Sequence, residues 1–363
     1  MKVMTILGTR PEIIRLSIII ERLDALAEHH VLVHTGQNHG ARLRDVFFQE
    51  LNVRQPDYQL QSPFSRFGKQ IGSMFTEVDE ILERERPDAV LVLGDTNSAL
   101  STILAARRRI VVYHMEAGNR CWDPLVPEEV NRRIIDSVAT FNLPYTAMSR
   151  DNLLREGAAM NRVWTCGNPI YEVLLRHAQA IESSPILKTL GLAQKEYVLV
   201  TTHRAENVDN KDRLLAIMSA LDDIAMESGL PVVCSVHPRT ESRLSEFGIR
   251  SPHPLVRLYN PFGLIDFAHL EKHARCALTD SGTVQEECCI FGVPTVTMRQ
   301  STERPETVLC GSNTVSGLSR ERIVSAARMA LGNRKEWQCP EGYTDTNVSL
   351  KVTNFVLGGL THV

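Results

Sequence analysis

Apolar residues along this chain come in short, almost unbroken runs separated by longer amphipathic stretches. Residues 3–9, 30–35, 89–94, 110–116 and 163–167 each read as a strand, and after a polar, helical connection the pattern restarts at 197–202, 231–236, 256–259, 276–279 and 294–298. Strands rich in Val, Ile and Leu that alternate with helices predict a parallel sheet covered on both faces. Two such series predict an α/β chain of two doubly wound, Rossmann-like domains, 1–168 and 169–344, with a helix in 345–363 packing back on the first. Open α/β sheets bind ligands beyond the carboxyl ends of their strands. The substrate is therefore expected in a central cleft between the two domains.

Polar residues collect at those strand ends. The run 114–136, HMEAGNRCWDPLVPEEVNRRIID, sets Glu116, Asp123, Glu128 and Glu129 just past an apolar strand, where carboxylates are candidates for chemistry. Pro127, Glu128 and Glu129 also read as the first turn of a helix, with Pro at N1 and acidic residues at the positive end of the dipole. Asp95 ends another strand and competes as the N-cap of a helix beginning near Asn97. In the second series His203 and His237 stand at strand ends. His203, beside Arg204, Glu206 and Asn207, suits binding or protonating a phosphate oxygen. His237, before Pro238, reads equally as a packed, hydrogen-bonded ring.

Two turns look built for anions. Gly8-Thr9-Arg10-Pro11-Glu12 leads a strand into a helix with an arginine at its positive end. Ser281, Gly282 and Thr283 lead another, offering N–H groups and hydroxyls to a phosphate, with Gln285, Glu286 and Glu287 one turn on, within reach of a ribose. Each turn alone reads also as an ordinary cap. One in each domain points to a nucleotide with a diphosphate.

Composition narrows the partners. At 363 residues the chain is long for a single core, and a net charge of -3 offers nucleic acid no overall attraction, so a small molecule is expected. Arg107, Arg108 and Arg109 read as a solvated loop or an anion site and receive no function. The eight cysteines show no CxxC pair and no zinc-type Cys/His spacing, so no metal is expected and the thiols read as buried in a reducing compartment. No apolar run reaches the ~20 residues that span a bilayer. The chain opens on a strand rather than on a signal-peptide pattern, which predicts a cytoplasmic protein without membrane insertion. Neither G-x-G-x-x-G after a strand nor G-x-x-x-x-G-K-[ST] occurs, so the nucleotide is expected as substrate and no cofactor is expected.

Together GTRPE (8–12), GDTNS (94–98), HMEAGNR (114–120), PEEVNRR (127–133), HRAEN (203–207), DSGTVQEE (280–287) and TERPE (302–306) resemble the non-hydrolysing UDP-N-acetylglucosamine 2-epimerases, over residues 3–306. The resemblance implies a glycosyltransferase-B-like fold, a homodimer and a UDP-N-acetyl sugar as substrate. It implies a catalytic group of Asp95, Glu116, Glu128 and His203, with Arg10, Ser281, Gly282 and Glu287 holding UDP and Arg304 nearby. Arg15, Gln37, His237, Thr283, Gln285 and Glu286 complete the expected binding set. Arg15 stands where typical members carry Lys, and 116–120 reads EAGNR where they read EAGLR. Asn119, the run Cys121-Trp122-Asp123 and a shortened loop before PEE look more like the branch that forms UDP-N-acetyl-L-fucosamine for capsule or O-antigen. The run 34–40, HTGQNHG, departs from the TGQH-type motif of substrate-activated members.

The chemistry explains the residue types. The C2 proton of an N-acetylhexosamine is not adjacent to a carbonyl and resists direct abstraction. Breaking the anomeric C1–O bond makes C1 cationic and acidifies C2–H; losing that proton leaves a 2-acetamidoglucal and UDP, and re-addition after protonation of the other face inverts C2. That route needs carboxylates around the sugar and electrostatic support for the leaving diphosphate. An epimerase converting UDP-N-acetylglucosamine to UDP-N-acetylmannosamine, a UDP-sugar-dependent glycosyltransferase of the same fold, a hydrolysing epimerase and a non-catalytic sugar-nucleotide sensor are the rival readings.

Overall fold

The apolar runs become the strands of two parallel sheets, each with the order of a doubly wound fold. The computed structural model describes residues 1–37, 47–61, 66–251 and 253–358. Two compact units emerge: 1–175 with 341–363, and 176–340. The first therefore runs seven residues past the boundary expected at 168.

In the first unit β1 (Lys2–Leu7), β2 (His29–His34), β3 (Tyr58–Gln59), β4 (Ala89–Leu93), β5 (Val111–Met115) and β6 (Phe141–Leu143) lie in the order β3-β2-β1-β4-β5-β6. Every pairing is parallel. Met4, Ile6, Val31, Val33, Val90, Val92 and Val112 face the helix Phe67–Glu85 on one side, which is why these strands read as continuous apolar runs rather than alternating ones. The helix Val348–Leu357 belongs to this unit and packs on the helix Arg10–Leu26, where Arg22 Nε donates to Ser349 Oγ at 3.0 Å.

In the second unit β7 (Val198–Thr202), β8 (Val232–Val236), β9 (Val256–Tyr259), β10 (Cys276–Thr279), β11 (Thr295–Thr297) and β12 (Asn313–Val315) repeat that order as β12-β11-β10-β7-β8-β9. Val198 and Val200 pack with the helices Lys211–Ser228 and Arg320–Gly332, while Tyr197 and Leu199 pack with Leu264–His273 and Gly282–Phe291. Alternate residues of one strand thus serve two cores. Among the described residues no helix is long and apolar enough to cross a membrane.

One expected strand is absent. Residues 163–167 form only an isolated bridge, Val163 to Asn142, and the sixth strand is Phe141–Leu143. Trp164 and Cys166 donate to the carbonyls of Asn142 and Pro144, so this run lies beside β6. Pro144 cannot return a backbone bond, and Gly167 at φ +88° turns the chain away.

Candidate functional site

In each unit the order of the strands reverses next to one pair, β1/β4 in the first and β7/β10 in the second, and such switch points open a crevice at the carboxyl edge of a sheet. Gly8 to Arg10 follow β1 and Asp95 follows β4; His203 follows β7 and Asp280 to Thr283 follow β10. Of the residues singled out for chemistry, Arg10, Asp95, His203 and Ser281 to Thr283 flank the two switch points, while Glu116 and His237 follow the neighbouring strands β5 and β8.

Around the first switch point, Thr9 caps the helix Arg10–Leu26 in a capping box. Glu12 Oε2 accepts from Gly8 N–H at 3.0 Å, Thr9 N–H at 2.7 Å and the Thr9 hydroxyl at 2.7 Å. Its Oε1 accepts from the Thr96 hydroxyl at 2.9 Å, which ties the β1 turn to the β4 turn. Burial pushes Glu12 up to about 7 against the pull of those bonds. A Cβ on Gly8 would come within 2.2 Å of the Ser98 and Thr35 hydroxyl oxygens, so the turn closes only around glycine. Gln37 accepts from Ser98 N–H at 3.3 Å and from its hydroxyl at 3.1 Å, while Arg10 lies over the Phe47 ring at 5.1 Å. Arg15 is buried within its helix. Asn38 to Gly40 of the HTGQNHG run lie outside the described residues.

Asp95 is not the N-cap: the first turn beyond it is a short 3-10 helix, Ser98–Ser101, capped at Asn97. Its carboxylate pairs with Arg132, whose Nε is 3.1 Å from Asp95 Oδ2 and whose Nη1 is 2.8 Å from Glu129 Oε2. Burial raises Glu129, but the Cys121 N–H and Arg132 outweigh it and hold the carboxylate below its ordinary range. Glu116 follows β5 directly, is buried and takes φ +63°, a left-handed conformation that costs a residue with a Cβ of order 1–2 kcal/mol. Glu128 stands in the first turn of the helix Pro127–Val138, half-buried, where a dipole-capping role and a chemical one coincide.

Asp95, Arg132 and Glu129 belong to a ring of charged groups that closes through one backbone carbonyl. From Asp95 it runs through Arg132 to Glu129, on to Arg133 Nη2 at 3.2 Å, and from Arg133 Nη1 to Glu156 at 3.3 Å. Arg120 bridges Glu156 and Asp136, and Asp136 Oδ1 lies 2.9 Å from His114 Nδ1. His114 Nε2 donates to the carbonyl of Gly94 at 2.8 Å, which returns the ring to the residue before Asp95. Burial raises Asp136, but His114 and Arg120 hold it below its ordinary range. Sequence reasoning missed Arg132, Asp136 and His114 as partners. The i, i+3 and i+4 spacing of Glu129, Arg132 and Arg133 was the available signal.

Around the second switch point the centre is Asp280, which sequence reasoning also passed over. Wholly buried, it accepts from the Thr202 hydroxyl at 2.7 Å, from the N–H groups of His203 and Arg204 at 3.0 Å each, and from Asn207 Nδ2 at 3.0 Å. It thereby fixes the turn that presents His203, whose side chain is 41% exposed with Nδ1 3.4 Å from Asp280. The His237 ring centre is 5.7 Å from that of His203, and His237 caps the helix Pro238–Phe247 by accepting from Arg239 N–H. Ser281 opens the helix Gly282–Phe291, its hydroxyl 3.0 Å from that of Thr283. A Cβ on Gly282 would stand 2.9 Å from Glu303, which pairs with Arg204 and Arg299.

Two expected ribose contacts have turned inward. Gln285 is fully buried and bonds Ser281 O, the Thr302 hydroxyl and Asn313, and Glu286 is fully buried against Arg304 Nε. On a helix packed against a sheet the residue after the N-terminal turn points either to the crevice or to the core, and spacing alone does not choose. Glu287, buried at 6% exposure, lies on the same helix. Arg304 is thus an internal partner of Glu286. Among the described residues no group of three or more His, Cys, Asp or Glu could hold a metal ion.

The family profile described as UDP-N-acetylglucosamine 2-epimerase matches residues 21–357. The chain belongs to that family. It is therefore an isomerase by class. It is 38% identical over 339 residues to the UDP-2,3-diacetamido-2,3-dideoxy-D-glucuronate 2-epimerase of Pseudomonas aeruginosa, covering 92% of this chain and 93% of that one. It superposes with a TM-score of 0.94, at 36% identity and over 99% and 100% of the two chains, on the UDP-GlcNAc 2-epimerase of Methanocaldococcus jannaschii solved with UDP-GlcNAc and UDP. A glycosyltransferase of lipopolysaccharide biosynthesis, WaaG, matches at a TM-score of 0.60 and 14% identity over 99% and 100%, which places both epimerase and glycosyltransferase on one fold.

Proposed function

We propose that this epimerase-family chain inverts C2 of a UDP-N-acetylhexosamine without net hydrolysis, by eliminating UDP to a 2-acetamidoglucal and adding it back. The observation that carries the reading is the edge of the first sheet. Asp95 and Glu116 follow the adjacent strands β4 and β5, paired at Leu93 and Met115, and Glu128 opens the next helix. Three carboxylates gathered at one edge exceed what glycosyl transfer requires, whereas moving a proton on and off C2 from opposite faces and steadying a cationic C1 uses all three. Arg132, which also holds Glu129, orients Asp95. In the second unit His203, Ser281, Gly282, Thr283 and Glu287 hold the nucleotide, with the diphosphate toward His203 and the helix Gly282–Phe291.

For the sugar we propose UDP-2-acetamido-2,6-dideoxy-L-hexose, giving UDP-N-acetyl-L-fucosamine for surface polysaccharide. Its support is the segment after β5. The Asn119 side chain is buried and accepts from the Ser149 hydroxyl at 2.7 Å, and Cys121 N–H donates to Glu129 at 3.0 Å, so the residues that depart from the commoner EAGLR pattern shape the turn beside Glu116 and Glu129. The test is incubation in deuterated water with that sugar nucleotide, with UDP-GlcNAc and with the UDP-diacetamido-glucuronate, following C2 by NMR. Deuterium entering C2 together with epimer formation in the L-sugar alone supports both steps. Exchange only in another sugar overturns the substrate, and UDP release dependent on an added acceptor overturns the reaction.

A further inference from the structure

Three cysteines far apart in the chain meet at the C-terminal end of the helix Gly282–Phe291. Cys289 lies on the last turn of that helix and is wholly buried. Cys310 follows the helix Pro305–Leu309, and Cys339 lies in the irregular run just before Pro340, where the second unit ends. Cys289 Sγ is 3.9 Å from Cys310 Sγ. Cys339 Sγ is 3.6 Å from the Cys289 carbonyl oxygen, which also accepts from Trp337 Nε1 at 3.1 Å, so the indole fastens the 337–339 run to the helix end.

The sulfurs are not alike. Cys310 and Cys339 are partly exposed, whereas the other six are buried. Burial pushes Cys166, Cys234 and Cys276 up to about 12, which leaves them inert thiols. Cys339 is held below the ordinary thiol range, first by the Cys289 thiol that donates to it and then by Lys335, with burial opposing; Cys289 is raised in turn. The Lys335 stem lies across Gly292, with Cδ 2.5 Å from where a Cβ on that glycine would stand, which places its ammonium beside this end of the helix. A partly exposed sulfur set against a residue whose own sulfur is buried, inside a cluster of three, is the arrangement of an attacking and a resolving sulfur.

We propose that Cys339 and Cys289 form a site of oxidative modification for hydroperoxides, with Cys339 attacking and Cys289 resolving. The Cys339 thiolate attacks one oxygen of hydrogen peroxide. The O–O bond breaks, and the second oxygen leaves with its electron pair, takes a proton and departs as water. Cys339 is then a sulfenic acid. The Cys289 sulfur attacks the Cys339 sulfur, the S–O bond breaks, and the hydroxyl leaves as water with the proton that Cys289 gives up. Two thiols are oxidised to one disulfide while one peroxide is reduced to two waters. The bond staples the segment on which the chain returns to the first unit to the helix that carries Glu287.

Peptide mapping tests this without reference to the epimerase reaction. Trypsin places Cys289 in residues 276–299, Cys310 in 300–320 and Cys339 in 336–351, so each linkage has its own mass. The reduced, folded protein is treated with a few equivalents of hydrogen peroxide, blocked with iodoacetamide and digested. The expected product joins 276–299 to 336–351 and disappears with dithiothreitol; fragmentation assigns Cys289 rather than Cys276 or Cys288. In Cys289→Ser the reaction stops at a Cys339 sulfenic acid that dimedone captures. In Cys339→Ser, a change at a partly exposed position, thiol loss slows by about tenfold or more. A linkage of 276–299 to 300–320 with Cys339 still free, or no linkage while the circular dichroism spectrum is unchanged, overturns the assignment.

Discussion

Asp95 and Glu116 are held differently, and the difference predicts different responses to substitution. Asp95 is paired with Arg132, whereas Glu116 owes its position to a left-handed backbone directly after β5. Asp95→Asn and Glu116→Gln keep shape and volume, so both are expected to fold while kcat falls by roughly 10²- to 10⁴-fold, the range for losing a proton-transfer group. Normal turnover in either isosteric variant would remove that residue from the catalytic set. Glu12 makes a prediction about pH. Its folded value of about 7 lies above the ordinary 4.5, so between those values the folded chain keeps a proton that the unfolded chain has released. The folded state then binds more protons, and stability falls as pH rises through that window, by about 3 kcal/mol in all, becoming flat above it. Glu12→Gln removes the titration. Urea midpoints at pH 5 and pH 8 should therefore differ more in the native chain than in the variant, with the native chain weaker at pH 8; identical differences would count against a raised Glu12.

At the scale of elements, the turns after β4 and β5 separate two kinds of glycine. Gly94 and Gly118 both take positive φ, +73° and +77°, but nothing lies within 4 Å of a Cβ on Gly94, whereas one on Gly118 would sit 2.1 Å from the Ser149 carbonyl oxygen and 2.8 Å from Leu153 Cγ. Gly94→Ala is expected to cost only the conformational penalty of about 1–2 kcal/mol, and Gly118→Ala that penalty plus overpacking, about 3 kcal/mol or more. Equal shifts in urea midpoint would show that the segment after β5 yields freely. The same scale shows what was legible in the chain. Long apolar runs such as 89–94 and 276–279 announce strands because both faces are buried. Tyr58–Gln59 and Asn313–Val315 do not, since edge strands of two and three residues carry polar side chains and draw their order from a neighbour already in place. Strand-end carboxylates and histidines were legible from residue type. Their partners were not, because His114, Asp136 and Arg120 meet only after β5 and the helix Pro127–Val138 have packed.

At the scale of the whole molecule, one sheet order occurs twice, and each copy brings polar groups to its own switch point, so the proposed function assigns sugar chemistry to the first unit and nucleotide binding to the second. On the proposed function UDP binds the folded chain and not the unfolded one, and at a hundred times its dissociation constant it should stabilise by about 2.7 kcal/mol, raising the melting temperature by roughly 5–10 °C. The carboxylates of the first sheet edge are proposed to act on a sugar that UDP lacks, so Asp95→Asn should keep this shift in full. Glu287 belongs to the helix Gly282–Phe291, which is proposed to hold the nucleotide, so Glu287→Gln should lose at least half of the shift while unfolding normally without ligand. The two variants thus read the two halves of the reaction independently. If UDP protects Glu287→Gln as well as the native chain, the nucleotide does not rest on that helix. If Asp95→Asn loses the protection instead, the assignment of roles to the two units is reversed, and Asp95 must be reconsidered as a group that positions Arg132 for the diphosphate.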